Sequence, residues 1–129
     1  METLGGNYLY GIKVHLNGET FDLCPADICQ TSAGQALETA CTVEAAKAGL
    51  QVEGYVPPPE VVDAVQRIAR AAGIDVGGIE YLVDDRDGRL YYYDINALSN
   101  FVADAPRVIG FDPVTNLADF LERELHDAL

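Results

Sequence analysis

The chain predicts an α+β fold, an antiparallel sheet with helices packed over one face, in a single domain spanning residues 1–129. Three observations predict it. Residues 8–14 and 79–96 concentrate aromatic and β-branched side chains around tight-turn signals, as strands do. Residues 59–72 and 113–127 repeat apolar side chains at helical spacing between proline starts and short polar or glycine stops. The order is strands, helix, strands, helix, which suits a sheet whose helices pack on one side.

The elements follow in chain order. Tyr8–Val14 alternates and is rich in aromatic and branched residues, so it reads as a strand. Asn17-Gly18 is the strongest short hairpin signal, with Thr20–Cys24 as the returning strand. Pro25-Ala26-Asp27 begins a loop, and the Ala-rich stretch 31–49 reads as partly helical, with Gly49 as its stop. Val56-Pro57-Pro58-Pro59 is a rigid connector. The next helix covers Pro59–Ala72, with Val61, Val62, Val65, Ile68, Ala69 and Ala72 on its apolar stripe. Proline in its first turn and Gly73 beyond its end are the expected punctuation, and Arg67 and Arg70 near its C-terminus favour the helix dipole. A hairpin over residues 78–96 and a loop over 97–101 come next. The last helix starts after Asp112-Pro113 and runs to about Asp127, with Leu117, Phe120, Leu121 and Leu125 as its buried side.

Composition restricts what the molecule does. With 129 residues, 49% of them hydrophobic, the chain can bury a core of its own and is not a disordered segment. No run of about 18 apolar residues predicts a membrane span, and the N-terminus lacks the basic and apolar regions of a signal peptide, so the expected compartment is cytoplasmic. The formal net charge is −13, with only eight Lys plus Arg. That balance argues against nucleic acid and against an anionic membrane surface as partners, since both need a positive footprint. The three cysteines, Cys24, Cys29 and Cys41, are odd in number and are read as reduced thiols. Cys24-x4-Cys29 is not a zinc spacing, and only His15 and His126 could complete such a site.

The hairpin carries the chemistry. Gly78-Ile79-Glu80-Tyr81-Leu82-Val83-Asp84 is joined to Leu90-Tyr91-Tyr92-Tyr93-Asp94-Ile95-Asn96 through Arg86-Asp87-Gly88. The connection fits a three-residue loop with Gly88 in the left-handed position, which pairs Asp85 with Arg89. Counting inward, Glu80 falls opposite Asp94. Side chains two apart share a face, so Asp94, Asn96 and Tyr92 project together, while Tyr91, Tyr93 and Ile95 face the other way. Two carboxylates and a carboxamide on one surface are hard oxygen ligands suited to Mg²⁺. The ordinary alternative is a wet sheet face, where such residues are common. Two points favour the cation: Asp and Asn interrupt a strongly β-prone run, and acids facing each other across a sheet repel.

Glu80, followed after a short Gly-containing turn by Asp94-Ile95-Asn96, resembles the C-terminal half of an ATP-grasp ligase. Tyr8–His15 with Leu16-Asn17-Gly18-Glu19 is similar to that family's preceding hairpin, and Leu23–Gln30 resembles a segment of glutathione-synthetase-like and RimK-like members. The resemblance runs from about Gly6 to Leu125 and is dense over Ile79–Asn100. It implies that Glu80, Asp94 and Asn96 hold the Mg²⁺ that bridges ATP phosphates. Related ligases often carry a basic residue at the place of Lys13 that approaches the phosphates or the acyl group, the alternative being a strand lysine that snorkels to solvent; Asn100, which follows the metal motif, either helps to position substrate or metal or caps a loop. The implied activity is ATP-dependent carboxylate–amine (or thiol) ligation through an acyl-phosphate, with nucleotide and small carboxylate and amine substrates as partners.

The chain departs from that pattern in two ways. Adenine-contacting residues and phosphate-binding lysines belong to an upstream lobe of such enzymes, so catalysis is expected to need that lobe in cis or in trans. Gly78 also stands where some members have an arginine. The alternative expectation is a non-catalytic binding or assembly module derived from a half-domain, as a homodimer that covers its exposed sheet face.

Overall fold

A computed structural model describes residues 1–15 and 51–128 of the chain. The Asn17-Gly18 turn, the Thr20–Cys24 strand, the 31–49 helical stretch, the Leu23–Gln30 segment and all three cysteines lie outside the described residues. The elements are β1 (Glu2–Leu4), β2 (Asn7–His15), β3 (Gln51–Tyr55), α1 (Pro59–Ala72), β4 (Val76–Val83), β5 (Leu90–Asn96), α2 (Ala105–Ile109) and α3 (Pro113–Asp127). The strands form one five-stranded sheet in the order β3-β2-β1-β4-β5. Every neighbouring pair is antiparallel, as the α+β expectation requires.

The central strand β1 is short and has no alternating pattern to announce it. Its signal is Gly5-Gly6: both residues have positive φ, 56° and 69°, and Leu4 pairs with Asn7, which makes a two-residue hairpin loop. Both glycines are also needed for space. A Cβ on Gly6 would sit 2.8 Å from Arg70 Cγ, and one on Gly5 would sit 2.9 Å from a ring carbon of Phe120. Arg70 from α1 and Phe120 from α3 thus close over the turn, and Arg70 Nη2 donates to Asn7 Oδ1 at 2.7 Å.

Helix α1 has the bounds its sequence predicts. Proline occupies its first turn, and Gly73 ends it in the left-handed conformation, with Gly73 N–H bonded to Arg70 O and Ile74 N–H to Ala69 O. Its stripe builds the core: Val61, Val65 and Ala69 bury against Met1 and Ile79, with Tyr8, Ile68, Tyr81, Leu90 and Tyr92 packed around them.

The expectation of helices over one face holds for α1 but not for α2. Gly54 of β3 faces away from the α1 side, and a Cβ there would meet Val108 O of α2 at 2.6 Å. The five-residue α2 therefore lies on the opposite face, at the β3–β2 end of the sheet. Tyr10 of β2 anchors the same segment: its hydroxyl accepts the Val102 N–H at 3.0 Å, and its ring packs against Phe101 and, edge-on, Phe111.

Helix α3 begins as predicted, with Asp112 accepting the Val114 N–H at 3.0 Å. Its predicted buried side is only partly buried. Phe120 is buried and Leu117 half-buried, whereas Leu121 and Leu125 are 54% and 64% exposed. An apolar stripe states which face seeks cover; of the predicted stripe in α3, Phe120, against the Gly5 turn, is the residue that is fully covered.

Candidate functional site

The β4–β5 hairpin brings the predicted acidic pair together: Glu80 is the cross-strand partner of Asp94, and Gly78 that of Asn96. The route differs from the predicted one. The turn is a residue longer, since Asp84 rather than Asp85 faces Arg89: Asp84 N–H bonds Arg89 O, and Gly88 N–H bonds Asp84 O, both at 2.8 Å. Val83 pairs with Leu90, Leu82 with Tyr91 and Tyr81 with Tyr92, so Tyr93 is bulged out before the register resumes at Asp94.

That bulge corrects the predicted faces. Tyr92 does not project with Asp94 and Asn96; it packs in the core on the α1 side, its ring 5.9 Å from that of Tyr81. Tyr93, expected to face away, instead joins Glu80, donating its hydroxyl to Glu80 Oε2 at 2.7 Å. Asn96 Nδ2 donates to Asp94 Oδ2 at 3.1 Å. Glu80, Tyr93, Asp94 and Asn96 therefore share the face turned away from α1, and Tyr91, also expected on the other side, is placed there too as the partner of Leu82.

The sequence reading missed Glu2. On β1 it is the partner of both Gly78 and Tyr10. Its carboxylate lies over Gly78, where a Cβ would come within 3.2 and 3.4 Å of its two oxygens. The place where an arginine was conceivable is thus filled by a third carboxylate. Glu2 Oε2 and Ser99 Oγ are buried with no hydrogen-bond partner among the described residues. Burial pushes the Glu2 carboxyl above the usual carboxylate range; the neighbouring Ser99 side chain opposes the shift, and the Glu80 charge adds to it. The Gly5-Gly6 hairpin was the signal that could have brought β1, and with it Glu2, to this face.

Among the described residues no Lys, Arg or His side chain pairs with these acids, and the cation that lies near Glu2 and Glu80 is the buried N-terminal ammonium of Met1. The ion pairs there are Lys13–Glu53, His15–Glu53, Arg86–Asp84, Arg89–Asp87 and Arg107–Asp104, all elsewhere. No group of three His, Cys, Asp or Glu side chains there is arranged to hold a metal ion. The donors that the register sets on this face are the Glu80 and Asp94 carboxylates and the Asn96 carboxamide, hard oxygens of the kind that suit a divalent cation keeping several waters. The Glu2 carboxylate, near Ser99, Glu80 and the N-terminal ammonium, is a hard oxygen donor of the same kind.

Lys13 is not brought to this group. Leu9 is bulged where β2 meets β1, Tyr10 pairing with Glu2 and Tyr8 with Thr3. Gly11 then faces Met1 and Tyr8 on the α1 side, and Lys13, two residues on, faces the same way. It pairs with Glu53 at 3.8 Å, both side chains more than half exposed. Ile12, not Lys13, occupies the acidic face. Asn100 is exposed, in the segment between β5 and α2 that Tyr10 holds through Val102.

Among the described residues no helix is long and apolar enough to cross a membrane. Compared with protein families, curated proteins and solved structures, the chain matches none.

Proposed function

We propose that this chain is the Mg²⁺- and phosphate-binding half of an ATP-dependent carboxylate–amine (or thiol) ligase that works through an acyl-phosphate. The observation that carries the reading is the register of β4 on β5, which sets Glu80 against Asp94 and Asn96 beside them on the same face. Glu80, Asp94 and Asn96 would hold the cation. Mg²⁺ supplies neutralisation of the oxygens of a transferring phosphoryl group. The residues of this chain fix the cation's position from two adjacent strands, which is more rigid than a loop. The groups that contact adenine and stabilise the acyl-phosphate oxygens come from a second lobe, in cis or in trans, because Lys13 lies on the other face, beside Glu53.

Calorimetric titration of ATP with and without Mg²⁺ into the complete enzyme, this chain together with its second lobe, tests the reading. Nucleotide affinity is expected to require the cation and to be lost in Asp94→Ala; equal affinity with and without Mg²⁺, or in the variant, refutes the assignment.

A second reading, a non-catalytic assembly module, is favoured by α3, whose Val114, Leu121 and Leu125 are 57%, 54% and 64% exposed. A chain that sediments as a homodimer and binds no Mg-nucleotide supports it.

A further inference from the structure

Tyr93 is the residue at which the hairpin departs from regular pairing. A bulge re-aims the side chain of the extra residue, and bulges are frequent beside functional sites. Here it turns a tyrosine that strict alternation would place on the α1 side onto the face of Glu80. The hydroxyl reaches Glu80 Oε2 at 2.7 Å, the length of a strong bond to a charged acceptor.

A carboxylate facing another carboxylate across a sheet is free to swing away from it. A donor on one oxygen stops that rotation and leaves the second oxygen with a fixed direction. Outer partners of this kind orient metal-binding carboxylates and tune their strength.

We infer that Tyr93 is the positioning residue of the Glu80–Asp94–Asn96 group: its hydroxyl holds Glu80 Oε2 so that Oε1 is presented to a divalent cation. The inference rests on the metal-site reading above. Tyr93 itself touches neither metal nor substrate; it acts through Glu80.

The test uses Mn²⁺ alone as probe, with free Mn²⁺ read by electron paramagnetic resonance over the full chain. Four proteins are compared: wild type, Tyr93→Phe, Tyr91→Phe and Asp94→Ala. Tyr91 lies on the same strand, 45% exposed, and serves as the control for a lost phenol. Tyr93→Phe is expected to weaken Mn²⁺ binding about three- to tenfold, toward the low end for an outer partner because the site is partly exposed. Its metal-free melting temperature is expected to stay that of wild type, which separates positioning from a merely structural role. Tyr91→Phe is expected to bind as wild type does. If Asp94→Ala abolishes binding and Tyr93→Phe leaves it unchanged, the inference is overturned while the site reading stands. If wild type binds no Mn²⁺, or Asp94→Ala binds it equally well, the site reading falls and the inference with it.

Discussion

Glu80 and Asp94 are cross-strand partners although the turn between their strands is one residue longer than a three-residue hairpin loop, because Tyr93 is bulged out of the ladder between them. Two one-residue departures cancel at this pair. The bulge also sorts the aromatic residues: Tyr92 goes to the core with Tyr81, and Tyr93 goes to the acidic face.

Gly77 is where the site meets the packing of the sheet. A Cβ there would lie 2.4 Å from Ile74 Cγ2 and 2.5 Å from the backbone oxygen of Asn96. The backbone oxygen cannot move without moving β5. Gly77→Ala is expected to cost about 2–3 kcal/mol as an overpacked position, measured by urea unfolding. It is also expected to weaken any cation affinity, because Asn96 shifts. A variant as stable as wild type contradicts the close approach of β5 to Gly77.

The core and the last helix predict a contrast. Val65 is fully buried between α1 and the sheet, so Val65→Ala should cost about 2 kcal/mol. Leu125 belongs to an equally apolar stripe yet is 64% exposed, so Leu125→Ala should stay within about 0.5 kcal/mol. A large loss at Leu125 in equilibrium unfolding would mean that α3 is covered in solution.

Glu2 sets a pH dependence with a definite sign. Its carboxyl is raised above the ordinary value of 4.5 by burial, with Glu80 adding. Between the unfolded and the folded pKa the native state binds more protons than the unfolded chain, so stability falls as pH rises through that window. The destabilisation is absent below about 4.5 and complete above the raised value. Glu2→Gln is therefore expected to be more stable than wild type at neutral pH and equally stable at low pH. Urea midpoints of both proteins between pH 4 and pH 8 check this; parallel curves would sink it.

The parts legible in the sequence are those where local chemistry and packing agree. Pro59 and Gly73 punctuate α1, Asp112-Pro113 opens α3, and the branched residues of β4 and the aromatic run of β5 mark the hairpin. The strands β1 and β3 were missed because three- and five-residue strands carry too few alternations to register, although Gly5-Gly6 was a hairpin signal in plain sight. α2 is a single turn of helix, set by Val108 closing on Gly54 rather than by its own periodicity. The faces of Tyr92, Tyr93 and Lys13 were beyond pattern reading for one shared reason. A bulge inserts a residue without a sequence mark, and every side chain beyond it changes sides. Leu121 and Leu125 show the complementary limit: amphipathicity reveals an apolar face, and only the neighbours decide whether it is buried.

The central claim is that Glu80, Asp94 and Asn96 together hold a divalent cation. Its most direct test is a two-dimensional amide NMR spectrum of the chain with trace Mn²⁺, whose unpaired electrons broaden only nearby signals. Selective loss of the amides of Gly78–Glu80 and Asp94–Asn96 is expected, reversed by excess Mg²⁺ and absent in Asp94→Ala. Broadening spread evenly over the acidic surface, or centred on another part of the chain, would contradict it.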